Sequence, residues 1–197
     1  MGFTNFLFLL ILMFCPVQDK HVVEYVNPFV GTANDANTFP GAVRPWGMVS
    51  VSPHNVSNSP AGYIKGKPFV YGFGHVHLSG TGCSDLGNVV LVPTTGAIQM
   101  NREKYRSTYD NEVAEPGYYR TDLSSYNITA EMTATCRSGI SKYVFPECRG
   151  NANILVDASH RFNSLPARFG EVRVLSATEV EGFSLRESRD TSPRSES

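Results

Sequence analysis

Residues 128–137 alternate strictly between apolar and polar. Ile128, Ala130, Met132, Ala134 and Cys136 fall on one side, and Thr129, Glu131, Thr133, Thr135 and Arg137 on the other. A period of two predicts a half-buried strand. Residues 140–145 are expected to return antiparallel after a two-residue turn at Ser138-Gly139. That register sets Tyr143 opposite Ala134 and Phe145 opposite Met132, large against small. Strands are also predicted over 48–52, 89–92, 117–121, 154–157 and 171–175. Pro40-Gly41, Pro53, Pro93, Pro116-Gly117 and Pro146 punctuate them. No stretch holds a helical period. Many short strands joined by polar loops predict an all-β fold, an antiparallel β-sandwich.

The two ends depart from this pattern. Residues 6–14 are an unbroken apolar run of signal-peptide length, far short of the ~20 residues that cross a bilayer. Residues 1–19 are therefore read as an export signal, with Cys15 placed as in a lipoprotein signal and a buried strand as the alternative. No basic residue precedes the run, and Phe14 is bulky where a lipoprotein signal carries a small residue. Residues 182–197 are expected to form a disordered or aberrant tail, because 188–197 hold no apolar side chain to bury. Residues 20–181 are then one sandwich, expected to be incomplete by itself. The destination is expected to be the periplasm, the cell surface or the medium, with no transmembrane segment.

Charge narrows the partners. With 17 Lys and Arg against 18 Asp and Glu, the chain has no electrostatic footprint for nucleic acid. The cysteines give no disulfide framework: after Cys15, Cys83, Cys136 and Cys148 are an odd number. The predicted hairpin register puts Cys148 roughly 20 Å from Cys136 at ~3.3 Å per residue, too far to bridge. Buried free thiols are the expectation.

Candidate chemistry concentrates in His75-Val-His-Leu-Ser-Gly-Thr-Gly-Cys-Ser-Asp-Leu-Gly87. Two histidines two apart share a face if the segment is a strand, so His75 and His77 are expected to point the same way. Gly80, Gly82 and Gly87 let backbone amides approach a ligand closely. Asp85 has two readings, a hydroxyl or cation contact and an Asx-type bond within its own loop. A zinc site of His75, His77, Cys83 and Asp85 is the weaker alternative, because the spacing is permissive rather than diagnostic. A second stretch, residues 37–53, presents Arg44 and Trp46 on a Gly/Pro-shaped loop. Trp46 is the only tryptophan. An indole face stacks on the C–H face of a pyranose while polar side chains bond its hydroxyls. Arg44 has two readings, a bond to a sugar hydroxyl and a pair with a loop acid such as Asp35, and the pairing is favoured. Asn55-Val-Ser and Asn127-Ile-Thr match the N-glycosylation acceptor pattern.

Taken in order, these blocks resemble a known family. Val26-Asn-Pro-Phe-Val-Gly-Thr32, Phe39-Pro-Gly-Ala, Trp46-Gly-Met-Val, the His75 loop, Pro93-Thr-Thr-Gly96, Glu115-Pro-Gly-Tyr-Tyr119, the 131–139 segment and Tyr143-x-Phe-Pro146 follow one another as in the N-terminal domain of glycoside hydrolase family 92. The resemblance covers roughly residues 23–182. It implies an exported, calcium-dependent, inverting exo-α-mannosidase that removes terminal α-linked mannose from N-glycans or mannans. It further implies two domains, this sandwich and a larger helical toroid that holds the catalytic acid, the catalytic base and most calcium ligands. The toroid is absent from these residues, so none is assigned a catalytic role, and the chain alone is expected to be inactive. Calcium is the implied cofactor of the intact enzyme, and mannose-containing glycans and the helical domain are the implied partners. The residues carried over as substrate contacts are Trp46, Gly47, His75, His77, Gly80, Thr81, Gly82 and Asp85. Trp46 stands where the family pattern carries Phe, which leaves stacking and packing both open. The alternative reading is a stand-alone carbohydrate-binding sandwich module.

Overall fold

The computed structural model describes residues 21–56, 59–80, 82, 86–147, 150–160 and 167–186. Residues 1–19, expected to be an export signal, residues 187–197 of the expected tail, and Thr81, Cys83, Asp85 and Cys148 lie outside the described residues.

After a 3₁₀ turn at Val22–Tyr25, the chain runs β1 (Ala42–Val43), β2 (Ser50–His54), β3 (Phe69–Val70), β4 (Gly72–Gly74) and β5 (Val90–Thr95). A one-turn helix α1 (Arg102–Tyr105) follows. Then come β6 (Ser107–Glu115), β7 (Tyr118–Leu123), β8 (Ile128–Ala134), β9 (Gly139–Val144), β10 (Ala152–Asp157), β11 (Ala167–Ser176) and β12 (Glu179–Arg186). One sheet has the order β1-β2-β4-β5-β10, the second β3-β6-β7-β8-β9, and β11 and β12 form a separate hairpin. All pairings are antiparallel. The predicted all-β sandwich is what forms.

The two sheets meet through Ala42, Val51, Val70 and Phe73 on one side and Tyr119, Leu123, Ile128, Ala130 and Met132 on the other. The alternation of β8 is realised as expected, with Ile128, Ala130 and Met132 all buried. In the first sheet, Pro53 faces Phe73 and Leu91 across the strands, on the core face with Val51. Ser50, Ser52, His54 and Val90 therefore point to the opposite face. That face is covered as well, since all five residues of β2 are buried.

Four sequence expectations need correction. First, the β8–β9 turn is not Ser138-Gly139. Thr135 N–H donates to the Ser138 carbonyl at 2.8 Å, and the Thr135 hydroxyl oxygen accepts from the Arg137 and Ser138 amides at 3.3 and 3.0 Å. The turn is thus 135–138, and the register moves by four: Tyr143 faces Ala130 and Ala134 faces Gly139. Gly139 is a glycine for another reason. A Cβ there would lie 2.5 Å from Val51 Cγ2 and 2.7 Å from His75 Cδ2. Second, Cys136 sits in that turn as an exposed free thiol rather than a buried one. Third, Pro53 and Pro93 lie inside strands. β2 pairs with β1 only at Ser50 and Val51, so Pro53 has no ladder bond to lose on that edge. Fourth, residues 182–186 belong to β12, not to a tail; Phe183 pairs with Glu171 and Leu185 with Phe169.

A bulge in β6 between Asp110 and Val113, with Asn111 at φ 51°, turns Glu112 inward. Its carboxylate accepts from Tyr63 Oη (2.8 Å), Tyr119 Oη (2.7 Å) and Lys65 Nζ (2.7 Å). Burial, and then the Glu112 charge, push both phenols far above the ordinary tyrosine value, so they stay protonated donors. This cluster ties the 59–65 segment to the second sheet.

Candidate functional site

The 44–47 turn projects one indole into solvent. Gly47 N–H donates to the Arg44 carbonyl at 2.8 Å and closes the turn, which places Trp46 at φ 60°. A Cβ on Gly47 would lie 2.8 Å from that carbonyl oxygen and 3.5 Å from the carbonyl oxygen of Thr135, so the turn needs glycine there. Met48 N–H then donates to the Cys136 carbonyl at 2.8 Å, tying the loop to the β8–β9 turn. Trp46 is 100% exposed. A positive φ is uncommon for a bulky residue. An indole held there contributes nothing to the core of this sandwich. Arg44 is exposed and, among the described residues, makes no ion pair with Asp35.

His75 reaches the same hairpin from the other side, against Gly139. It is half-buried and opens onto a cleft of about 240 Å³, shared with Val76, Leu86, Asn88 and Ser184. Burial lowers its pKa from the ordinary 6.5. A neutral imidazole offers one donor and one acceptor, a match for a hydroxyl.

His77 does not share that face. Strand β4 ends at Gly74, so the two-residue period stops before either histidine. His77 instead forms an isolated antiparallel bridge with Leu86 that closes the glycine loop. Its backbone N–H donates to Ser50 Oγ at 2.9 Å, and its Nδ1 lies 2.8 Å from the Ser50 carbonyl oxygen. A carbonyl only accepts, so the bonding network assigns the Nδ1 proton to His77 and leaves Nε2 as acceptor. His54 Nε2 donates to it across 2.6 Å. The His160 ring lies 4.7 Å from that of His54, and Phe39 lies 5.0 Å from His77. Burial pushes His77 down to about 4, with the Ser50 carbonyl opposing and His75 assisting. His54 is also lowered, through burial first and then His160, His77, Arg102 and His75. Gly74 makes the room, since a Cβ there would be 2.5 Å from His54 Nε2.

The structure thus brings Trp46, Gly47 and His75 to one hairpin and withdraws His77 into a buried histidine cluster. Gly80 and Gly82 stay at the surface with φ of 74° and 66° and open space where a Cβ would be. Backbone conformation, not crowding, calls for glycine there. Gly80 N–H donates to the Asn37 carbonyl at 2.5 Å, which joins the glycine loop to the segment before Trp46. Sequence reasoning missed His54 and His160. Nothing local marks them, because His54 lies 23 residues from its imidazole partner. Among the described residues no three His, Cys, Asp or Glu side chains converge as metal ligands. Cys83 and Asp85, two of the four ligands of the zinc alternative, lie outside the described residues.

A sequence profile of the glycosyl hydrolase family 92 N-terminal domain matches residues 25–195. An uncharacterized secreted glycosidase of Arthroderma benhamiae is 35% identical over 151 residues, which is 69% of this chain and 20% of that protein. The solved family GH92 α-mannosidase of Bacteroides thetaiotaomicron superposes with a TM-score of 0.77 at 35% identity, over 82% of this chain and 23% of its own. The same enzyme has been solved with bound mannoimidazole. An inverting mannosidase of that family from Bacteroides thetaiotaomicron VPI-5482 shares the fold, with a TM-score of 0.65 at 20% identity over 86% of this chain and 24% of its own. The chain therefore spans between a fifth and a quarter of the length of these relatives.

Proposed function

The chain belongs to glycosyl hydrolase family 92, matched over its N-terminal domain, and on that premise we propose that it is the β-sandwich of an exported, inverting exo-α-mannosidase acting on N-glycans or mannans. The observation that carries this reading is the wholly exposed Trp46, set by a strained turn on the β8–β9 hairpin that a half-buried, neutral His75 also meets. Trp46 stacks on the C–H face of a terminal mannose, and His75 exchanges one hydrogen bond with a ring hydroxyl. Gly47 fixes the turn.

Inversion needs an acid and a base roughly 6.5–9.5 Å apart with a water between base and sugar. In this reading both lie in polypeptide outside these residues, as do most of the calcium ligands. The described residues of this chain do not fit a calcium cage, which takes six to eight oxygens. Calcium, when bound, supplies positive charge that holds sugar hydroxyls. This chain's own part is to position and partly desolvate the sugar. By itself it forms half a subsite and turns over nothing.

Because Trp46 is the only tryptophan, its emission reports the subsite directly. Titration with methyl α-mannoside is expected to give a saturable blue shift in the millimolar range, and methyl α-galactoside none. An emission spectrum unmoved by any saccharide removes the role given to Trp46. Hydrolysis of an aryl α-mannoside by the chain alone, sensitive to a chelator, removes the assignment of acid and base to another domain. Affinity far below the millimolar range, without turnover, favours the stand-alone module instead.

A further inference from the structure

We propose that Asn127 is an N-glycan acceptor, and that the other sequon, at Asn55, is closed to modification in the folded protein. The two motifs look equivalent in sequence. The fold separates them. Asn55 is 5% exposed, and both hydrogens of its amide are engaged: Nδ2 donates to the Ile64 carbonyl at 2.9 Å and to Tyr109 Oη at 3.0 Å. Its Oδ1 accepts from Ile64 N–H at 2.8 Å. N-glycosylation replaces one Nδ2 hydrogen by a sugar carbon, so a glycan there would break one of these bonds and demand space inside the protein. Asn127 ends the exposed β7–β8 turn at φ 51°, a left-handed position that asparagine tolerates. Its neighbours Ser124 and Ser125 are exposed too.

The position also spares the rim around Trp46. Asn127 precedes β8 at one end, and the 135–138 turn that holds the Trp46 loop follows it at the other. Six residue steps along β8 separate the two ends by about 20 Å. The glycan therefore projects from the end of the sandwich remote from the saccharide rim.

The transfer balances with a polyprenyl diphosphate-linked oligosaccharide as co-substrate, in a eukaryotic secretory pathway. The bond from Asn127 Nδ2 to the sugar C1 forms and the bond from C1 to the diphosphate oxygen breaks. One amide proton leaves with the diphosphate, and nothing is oxidised or reduced.

The test secretes the full chain behind a leader of a eukaryotic host, which keeps export by the chain's own N-terminus out of the question. Soluble protein is analysed by intact mass and by peptide mapping after enzymatic deglycosylation in heavy-oxygen water. The expected result is one glycan, mapped to Asn127. Asn127→Asp and Thr129→Ala remove it completely, Thr129→Ser restores it, and Asn55→Gln leaves it in place. An unmodified Asn127 in the secreted protein, or a glycan on Asn55 of protein that melts cooperatively, overturns the proposal.

Discussion

The two paired sheets and the β11–β12 hairpin draw on the same apolar vocabulary and use it in opposite ways. Phe73, Tyr119, Ile128 and Met132 are fully buried between the sheets, whereas Phe169, Val174, Leu175, Val180, Phe183 and Leu185 in the hairpin are each more than two-fifths exposed. The hairpin has a long ladder, from Ala167 with Arg186 to Ser176 with Glu179, yet backbone pairing does not bury side chains. A cleft of about 560 Å³, lined by Val156, Ala158, Val172 and Val180 among others, separates it from β10. Hydrophobic stabilisation scales with area removed from water, so the sheets hold the fold and the hairpin adds little.

The widest test of that contrast is Phe73→Ala. Its ring lies in the inter-sheet core, 6.0 Å from that of Tyr143, and its removal is expected to cost about 3–5 kcal/mol in denaturant unfolding. A loss near zero would mean the sheets do not pack as described. Acid provides the next test, on the covered outer face of the first sheet. Unfolded, His77 titrates at the ordinary 6.5; folded, burial holds it near 4. Between those values the unfolded chain binds more protons, so the stability present above pH 6.5 is lost as pH falls toward 4. His54, also lowered by burial, acts in the same direction. A melting temperature that drops by several degrees from pH 7 to pH 4.5, and drops less in His77→Asn, is the expected result.

Glu112→Gln tests the buried carboxylate. It leaves one acceptor oxygen for Tyr63, Tyr119 and Lys65, and the expected cost is about 1–3 kcal/mol by thermal unfolding. The smallest effect sharpens the comparison most. Val174→Ser, at a side chain 77% exposed, should change stability by less than about 0.5 kcal/mol. A cost above 1 kcal/mol would show that the hairpin's apolar face is covered in solution. Trp46→Ala belongs with it: the melting curve should stay in place while the saccharide response disappears.

The sequence alone carried the strand period, the all-β class, the ordered blocks of the family and the loops that bear the candidate residues. Those signals are local: side chains two apart share a strand face whatever the strand packs against. Three outcomes needed the assembled fold. Gly139 reads as a turn glycine until Val51 and His75 are seen to occupy the space of its Cβ. His75 and His77 look alike until Ser50, 27 residues away, draws one of them inward. The two sequons are the same three-residue signal until Tyr109, 54 residues from Asn55, seals one of them. Burial is set by what arrives from a distant part of the chain, and no local spacing encodes that arrival.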